Sequence, residues 1–309
     1  MARVRMLIDC DPGLDDAIAL LTAAHLAELV GITTVNGNVG LDHTTHNALA
    51  IAQIADLDVP VHRGAARPYV NDPIDAAYVH GATGLGSVEI PDVTREIDSA
   101  DAAGFIVESA RSFEDLELVA VGPLTNIADA VTADPELRSR LGGFTIMGGA
   151  AVGGNTTAAS EFNIWADPEA AAVVFRAMAP FTMVGLDVTH QVLLGPTERD
   201  RMRAAGTAAA TLAADLLDYA VDRAGELRGS AGAPIHDACA VLAVTHPELF
   251  GGDEHPVEVE LTGTHTRGMT VVDARPKVET DRPIRVLRTV DAAAVTDHIV
   301  TSVVAVGAT

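Results

Sequence analysis

An apolar run from Val4 to Ile8 gives way to a polar turn at Pro12-Gly13 and then to a second run, Ala17-Ile18-Ala19-Leu20-Leu21. The first predicts a strand buried on both faces, and the second a helix, Asp15 to Ala27, packed on it. A strand over Leu29 to Val35 and a helix over Thr44 to Ala55 extend the alternation to βαβα, the mark of a parallel sheet. Helices are expected again over Ala100 to Ser112, from Asp167-Pro168-Glu169 to Ala177 and over Ala204 to Leu227, with strands at Leu116 to Ala120, Phe144 to Met147 and Phe181 to Leu186. Pro234 to Ala243 opens a buried helix, and Asp291 to Val304 forms a closing one. Val257 to Leu261, Met269 to Val272 and Ile284 to Val290 predict strands of an antiparallel appendage. Residues 62–98 carry little regular pattern and predict a long loop, a lid or a disordered segment. No repeat or linker divides the chain, so residues 1–309 are taken as a single domain. The fold class is α/β: an open, Rossmann-like, mostly parallel sheet flanked by helices, with a small antiparallel appendage near the carboxyl terminus.

Polar residues gather where the strands end, which is where ligands bind in open α/β sheets. Asp9, Asp11, Asp15 and Asp16 fall within eight residues after the first strand. Helix capping accounts for one or two of them. Four repel one another at a cost that a cation, a proton or strong hydrogen bonds must offset, and a set of oxygens without His or Cys ligands suits Ca²⁺ or Mg²⁺. At other strand ends stand Asn38, Thr125 (by carbonyl or hydroxyl), and Glu161 with Asn163 after a Gly-rich stretch suited to a polyol. Asn36-Gly37 reads as an ordinary turn. His80 lies among three glycines in the patternless loop, a setting that suits a segment closing over a ligand, and His236-Asp237 opens a helix.

Composition narrows the partners. The formal charge of −23 argues against nucleic acid and anionic membrane surfaces, since phosphate contacts need clustered cations. Lys277 is the only lysine. No apolar run approaches a membrane span, and the amino terminus enters a strand too soon for a signal peptide, so the expected compartment is the cytoplasm. Two cysteines, Cys10 and Cys239, fit a reducing compartment, although a disulfide between them stays open.

Read in order, Asp9-Cys10-Asp11-Pro12-Gly13-Leu14-Asp15-Asp16, Gly37-Asn38-Val39, His80-Gly81, Gly122-Pro123-Leu124-Thr125-Asn126, Met147-Gly148-Gly149, Glu161-Phe162-Asn163 and His236-Asp237 resemble the inosine-uridine-preferring nucleoside hydrolase family. The resemblance implies hydrolysis of the N-glycosidic bond of ribonucleosides to ribose and free base. It implies Ca²⁺ held by Asp11, Asp16, Asp237 and the Thr125 carbonyl, with Asp15 as the base that deprotonates a metal-bound water. Asn38, Asn155, Glu161 and Asn163 would bind ribose hydroxyls, Met147 would pack near the sugar, His236 would protonate the leaving base, and His80 would be a base-side lid contact. The partners it implies are a small ribonucleoside and further copies of the chain, as homodimer or homotetramer.

The implied chemistry is sound on its own terms. An oxocarbenium-like sugar needs negative charge beside it, an activated water and a proton for the departing base; carboxylates, a metal and a histidine supply these. Trp165 is the only tryptophan, and Tyr219, with Arg223, Glu226 and Arg228 nearby, is the only tyrosine on the segment before His236-Asp237. This departs from the stacking tryptophans of purine-specific members and predicts a pyrimidine or mixed preference. Two rivals remain: a phosphohydrolase of the haloacid dehalogenase type, suggested by Asp9-x-Asp11 but short of the lysine its chemistry wants, and a non-catalytic nucleoside binder, which would not need Asp15.

Overall fold

The computed structural model describes residues 3–276 and 278–308. Lys277 thus lies outside the described residues. Strand β1 (Val4–Cys10) is buried from Met6 onward on both faces, as a central parallel strand must be. It turns into helix α1 (Leu14–Leu26), whose Ile18, Leu20 and Leu21 are fully buried, each burial contributing about 1.5–3 kcal/mol. Strand β2 (Ala27–Thr34), helix α2 (Leu41–Ile54) and strands β3 (Val61–Arg63), β4 (Glu117–Ala120), β5 (Gly143–Met147) and β6 (Phe181–Val184) follow.

The main sheet has eight strands in the order β3-β2-β1-β4-β5-β6, then Ile284–Val290, then Phe250–His255 at the edge. All pairings are parallel except the last. Chain direction across the sheet reverses between β1 and β4, so the carboxyl end of β1 is a topological switch point, where a crevice opens. Apolar cores fill both faces: α1 and helix Asp237–Thr245 lie on one, and helices Ala102–Ser112, Thr125–Ala133 and Pro168–Ala177 on the other.

Four expectations change. Ile284–Val290 belongs to the main sheet, parallel to β6, and the appendage is only Val257–Val259 paired antiparallel with Thr270–Val272. The edge strand Phe250–His255 has no apolar alternation to announce it; its glycines and acids suit an edge that must not recruit another strand. The helix expected from Ala204 is two, Pro196–Ala205 and Ala208–Arg228, separated where Gly206 takes φ +70° and Thr207 caps the second by accepting from the Ala210 N–H at 3.1 Å. The patternless loop is tied to the body: Arg95 donates to the carbonyl of Val59 at 2.7 Å, the Thr94 N–H donates to Gln53 Oε1 at 2.8 Å, and Val88, Ile90 and Val93 pack on the core. Cys10 and Cys239 are both buried and free, so no disulfide links them. Among the described residues no helix is long and apolar enough to cross a membrane.

Candidate active site and metal centre

One tight turn after β1 delivers Asp11, Asp15 and Asp16 to the carboxyl edge of the sheet, and Asp237 arrives there as the first residue of helix Asp237–Thr245. Asp15, Asp16 and Asp237 each bring a carboxylate oxygen within 4.8 Å of the others. Asp16 is in part a cap: its Oδ2 accepts from the Gly13 N–H at 2.9 Å and its Oδ1 from the Asp11 N–H at 3.1 Å. Capping does not explain Asp11. That carboxylate is buried, accepts the Asn38 N–H on Oδ2 at 2.6 Å, and leaves Oδ1 buried with no hydrogen-bond partner. Two glycines wall it in, for a Cβ at Gly37 would lie 2.0 Å from Oδ2 and one at Gly122 2.6 Å from Oδ1.

Burial, with repulsion from neighbouring carboxylates, raises Asp11 and Asp237 well above the ordinary range and Asp16 to about 7. Left alone, such a cluster holds protons. An orphaned buried oxygen, convergent carboxylates and an all-oxygen donor set fit a hard metal ion, which would remove that cost. Thr125 begins helix Thr125–Ala133 and turns its hydroxyl to Asp167 Oδ2 at 2.8 Å.

Beside the acids stands a polar wall. Glu161 caps helix Phe162–Ala166, its Oε1 accepting from the Asn163 N–H and its Oε2 from the Gly149 N–H, both at 2.9 Å. Gly149 holds φ +73°, and a Cβ there would come within 2.8 Å of Thr270. Thr270 bonds both main-chain groups of Ala150, at 2.9 and 2.6 Å, so the small antiparallel sheet braces this wall. Asn163 donates from Nδ2 to the carbonyls of Val121 (2.7 Å) and Met147 (3.1 Å), joining the ends of β4 and β5. Asn155 Oδ1 accepts from the Phe162 N–H at 2.9 Å. Burial raises Glu161 to about 7 against the backbone donors that lower it.

Asn155, Glu161, Asn163, Met147, Asn38, His80 and His236 all line one cavity with Asp15 and Asp237, about 960 Å³ including its open mouth. Asn38 does more than face a ligand: its Nδ2 donates to Asp16 Oδ2 at 2.9 Å and to the Asp11 carbonyl at 3.1 Å, clamping the two acids together. His80 is fastened rather than loose. Its Nδ1 accepts from the Leu14 N–H at 3.1 Å, which fixes the neutral ring as the Nε2–H tautomer, and burial lowers its pKa. His236 meets the Thr189 hydroxyl at Nδ1, 2.7 Å away, and its N–H donates to Asp15 Oδ2 at 3.3 Å. Burial pushes the His236 imidazole down to about 4, against the charge of Asp15 that raises it.

Asp9 sits below this cavity. Its fully buried Oδ1 accepts from the Thr33 hydroxyl (2.6 Å) and from Asn126 Nδ2 (2.7 Å), so it pins β1 to β2 and to the helix that starts at Thr125. A carboxylate so enclosed is no nucleophile for a phosphate ester, which removes the main support for the phosphohydrolase reading. The far end of the cavity holds residues not singled out in the sequence, Tyr78 and Leu227, along with Arg223 and Arg228. Tyr219 is elsewhere, against Gly86, where a Cβ would come within 2.5 Å of its ring, and Trp165 packs at Gly268. Periodicity could have found the helix residues, since 220, 223, 224, 227 and 228 share one helical face. Nothing local marks Tyr78 or Thr189.

A floor of buried carboxylates joined to a wall of Glu161, Asn155 and Asn163 suits an enzyme that breaks a glycosidic bond while gripping the sugar. Which bond is settled by relatedness: residues 6–297 match the sequence profile of the inosine-uridine preferring nucleoside hydrolases, and the chain belongs to that family. It is a hydrolase acting on N-glycosyl compounds. The chain is 42% identical over 273 residues, 87% of each chain, to the pyrimidine-specific ribonucleoside hydrolase RihA of Enterobacter sp. (strain 638). To RihA of Escherichia coli (strain K12) it is 41% identical, covering 87% of this chain and 88% of that one. Its structure superposes on a purine-preferring ribonucleoside hydrolase from Gardnerella vaginalis with a TM-score of 0.93 at 34% identity, over 98% of both chains.

Proposed function

We propose that this chain is a Ca²⁺-dependent ribonucleoside hydrolase of pyrimidine or mixed base preference. The observation that carries the metal reading is the orphaned, buried Oδ1 of Asp11 in the same turn as Asp15 and Asp16, which converge with Asp237; Asp15 and Asp237 open on one cavity. Asp11, Asp16, Asp237 and the Thr125 carbonyl would hold the ion. When bound, Ca²⁺ acidifies a water and orients the ribose diol. Glu161, Asn163, Asn155 and Asn38 line the wall that would take the sugar hydroxyls, with Met147 against the ring. The acids of the floor and wall stabilise positive charge on the sugar as the bond breaks. Asp15 fronts the cavity and accepts the proton of the attacking water; the enclosed Asp11 has its Oδ2 committed to Asn38. With Nδ1 engaged by Thr189, His236 has Nε2 left to hydrogen-bond the departing base, and His80 Nε2–H serves the same end of the cavity.

Base preference is supported by the placement of Trp165 and Tyr219 away from the cavity, whose lining aromatics are Tyr78 and Phe162, and by the 42% identical relative, which is pyrimidine-specific. We infer cytoplasmic action as a single catalytic unit assembled into a homodimer or homotetramer, on the family resemblance alone. A reducing-sugar assay on inosine, adenosine, guanosine, uridine and cytidine, with chelator or added Ca²⁺, tests the reading. Uridine should be cleaved and chelator should abolish cleavage. A much higher kcat/KM for guanosine than for uridine refutes the preference, and chelator-insensitive turnover refutes the metal.

A further inference from the structure

The cavity is electrically lopsided. Its inner end carries Asp15, Asp237 and Glu161, whereas its outer end is lined by one face of helix Ala208–Arg228, where Ala220, Arg223, Ala224, Leu227 and Arg228 follow the i, i+3, i+4, i+7, i+8 spacing. The two arginines are not equivalent. Arg223 is occupied, donating from one nitrogen to the Tyr78 carbonyl and from another to Glu226, so it staples the His80 segment to this helix. Arg228 makes no hydrogen bond or ion pair among the described residues, in a chain with 43 acids to choose from. A helix carboxyl end favours a cation in its last turn, and Arg228 stands exposed there, at the mouth of the cavity. The residue borders the cavity, and its charge is felt at both His190 and His236, whose rings stand 5.6 Å apart.

We propose that Arg228 is a catalytic residue that hydrogen-bonds the departing base and takes up the negative charge arriving there. The inference rests on the nucleoside-hydrolase reading above. When the bond between C1′ and the base nitrogen breaks, its electron pair goes to the base and spreads to any carbonyl oxygen conjugated with that nitrogen. The attacking water gives its oxygen to C1′ and one proton to the floor carboxylate, and a proton from solvent or His236 finally neutralises the base. A guanidinium fits the planar, oxygen-bearing edge of uracil or hypoxanthine, and the charge there exists only as the bond breaks, so Arg228 lowers the barrier more than it tightens binding.

The test compares wild type, Arg228→Gln and Arg228→Lys on uridine and 5-fluorouridine, whose base is the better leaving group. Arg228→Gln should lower kcat on uridine by about 10-fold or more, less than loss of a donor in a water-excluded site because Arg228 is exposed. It should lower kcat on 5-fluorouridine distinctly less, and Arg228→Lys or added guanidinium ion should restore part of the loss. An equal loss on both nucleosides, or a change confined to KM, overturns the assignment and leaves the hydrolase reading standing. No ribose release by the wild type from any nucleoside overturns that reading and this proposal with it.

Discussion

The cradle around Asp11 makes Gly37→Ala the sharpest test of the metal centre. The added Cβ would lie 2.0 Å from Asp11 Oδ2, 2.7 Å from its Cγ and 2.8 Å from Pro123 Cδ, where ordinary contact begins at 3.4 Å. Gly37 does not use a left-handed backbone, so the cost is steric. The carboxylate must withdraw by more than about 1 Å, which breaks its 2.6 Å hydrogen bond from the Asn38 N–H. A hydrogen bond to a charged group contributes about 1.5–3 kcal/mol, so Ca²⁺ affinity should fall by roughly 10- to 100-fold. Turnover with Ca²⁺ saturating should fall about 10²-fold more, because a displacement of that size spoils alignment. Isothermal titration with Ca²⁺ and a reducing-sugar assay over a Ca²⁺ series measure the two losses. Gly40→Ala is the control: nothing lies within 4 Å of a Cβ there, and affinity should be unchanged. If Gly37→Ala bound Ca²⁺ within twofold of wild type, Asp11 would not be a ligand.

Asp15→Asn should leave Ca²⁺ binding nearly intact and reduce ribose release by at least about 10²-fold, as loss of a general base does; surviving turnover would move the base to another acid. Stability should depend on pH in a defined direction. The folded-state pKa values of Asp16 and Glu161 are raised to about 7 from 3.8 and 4.5, so the metal-free protein binds protons that its unfolded chain has lost and is destabilised as pH climbs from about 4 through 7. Ca²⁺ demands the ionised forms, so its increment in Tm should be larger at pH 8 than at pH 5.5 by scanning fluorimetry, and an equal or smaller increment would contradict the cluster's role. Phe175→Ala, in the core beneath helix Pro168–Ala177, should lower stability by about 3–5 kcal/mol in urea unfolding; a loss under 1 kcal/mol would mean that the core there collapses around the gap.

The β1-turn-α1 unit was legible because a strand buried on both faces and an acid-rich helix start each have a local signature. Ile284–Val290 was misplaced because its partner β6 lies a hundred residues upstream, and no local pattern says which sheet a strand joins. Sequence placed the acids, Asn38, Glu161 and Asn163 near strand ends, but not how their hydrogen bonds are spent: Asn38 as a clamp on two carboxylates, and Asp9 as a pin beneath them, follow only from tertiary packing. Gly37 looked like any Asn-Gly turn. Its reason is a carboxylate pressed against it from another loop, and that is invisible one chain segment at a time.

The floor of the site is shared between the first sixteen residues and Asp237, with most of the sheet threaded between them. On the ribosome, then, the opening motif emerges early and stays inert. A nascent chain carries Asp11, Asp15 and Asp16 through most of its synthesis as repelling acids, and Asp237 joins them only after six of the eight sheet strands have been made. The acid cluster is therefore complete only late in synthesis, and a chain truncated before residue 237 cannot assemble it.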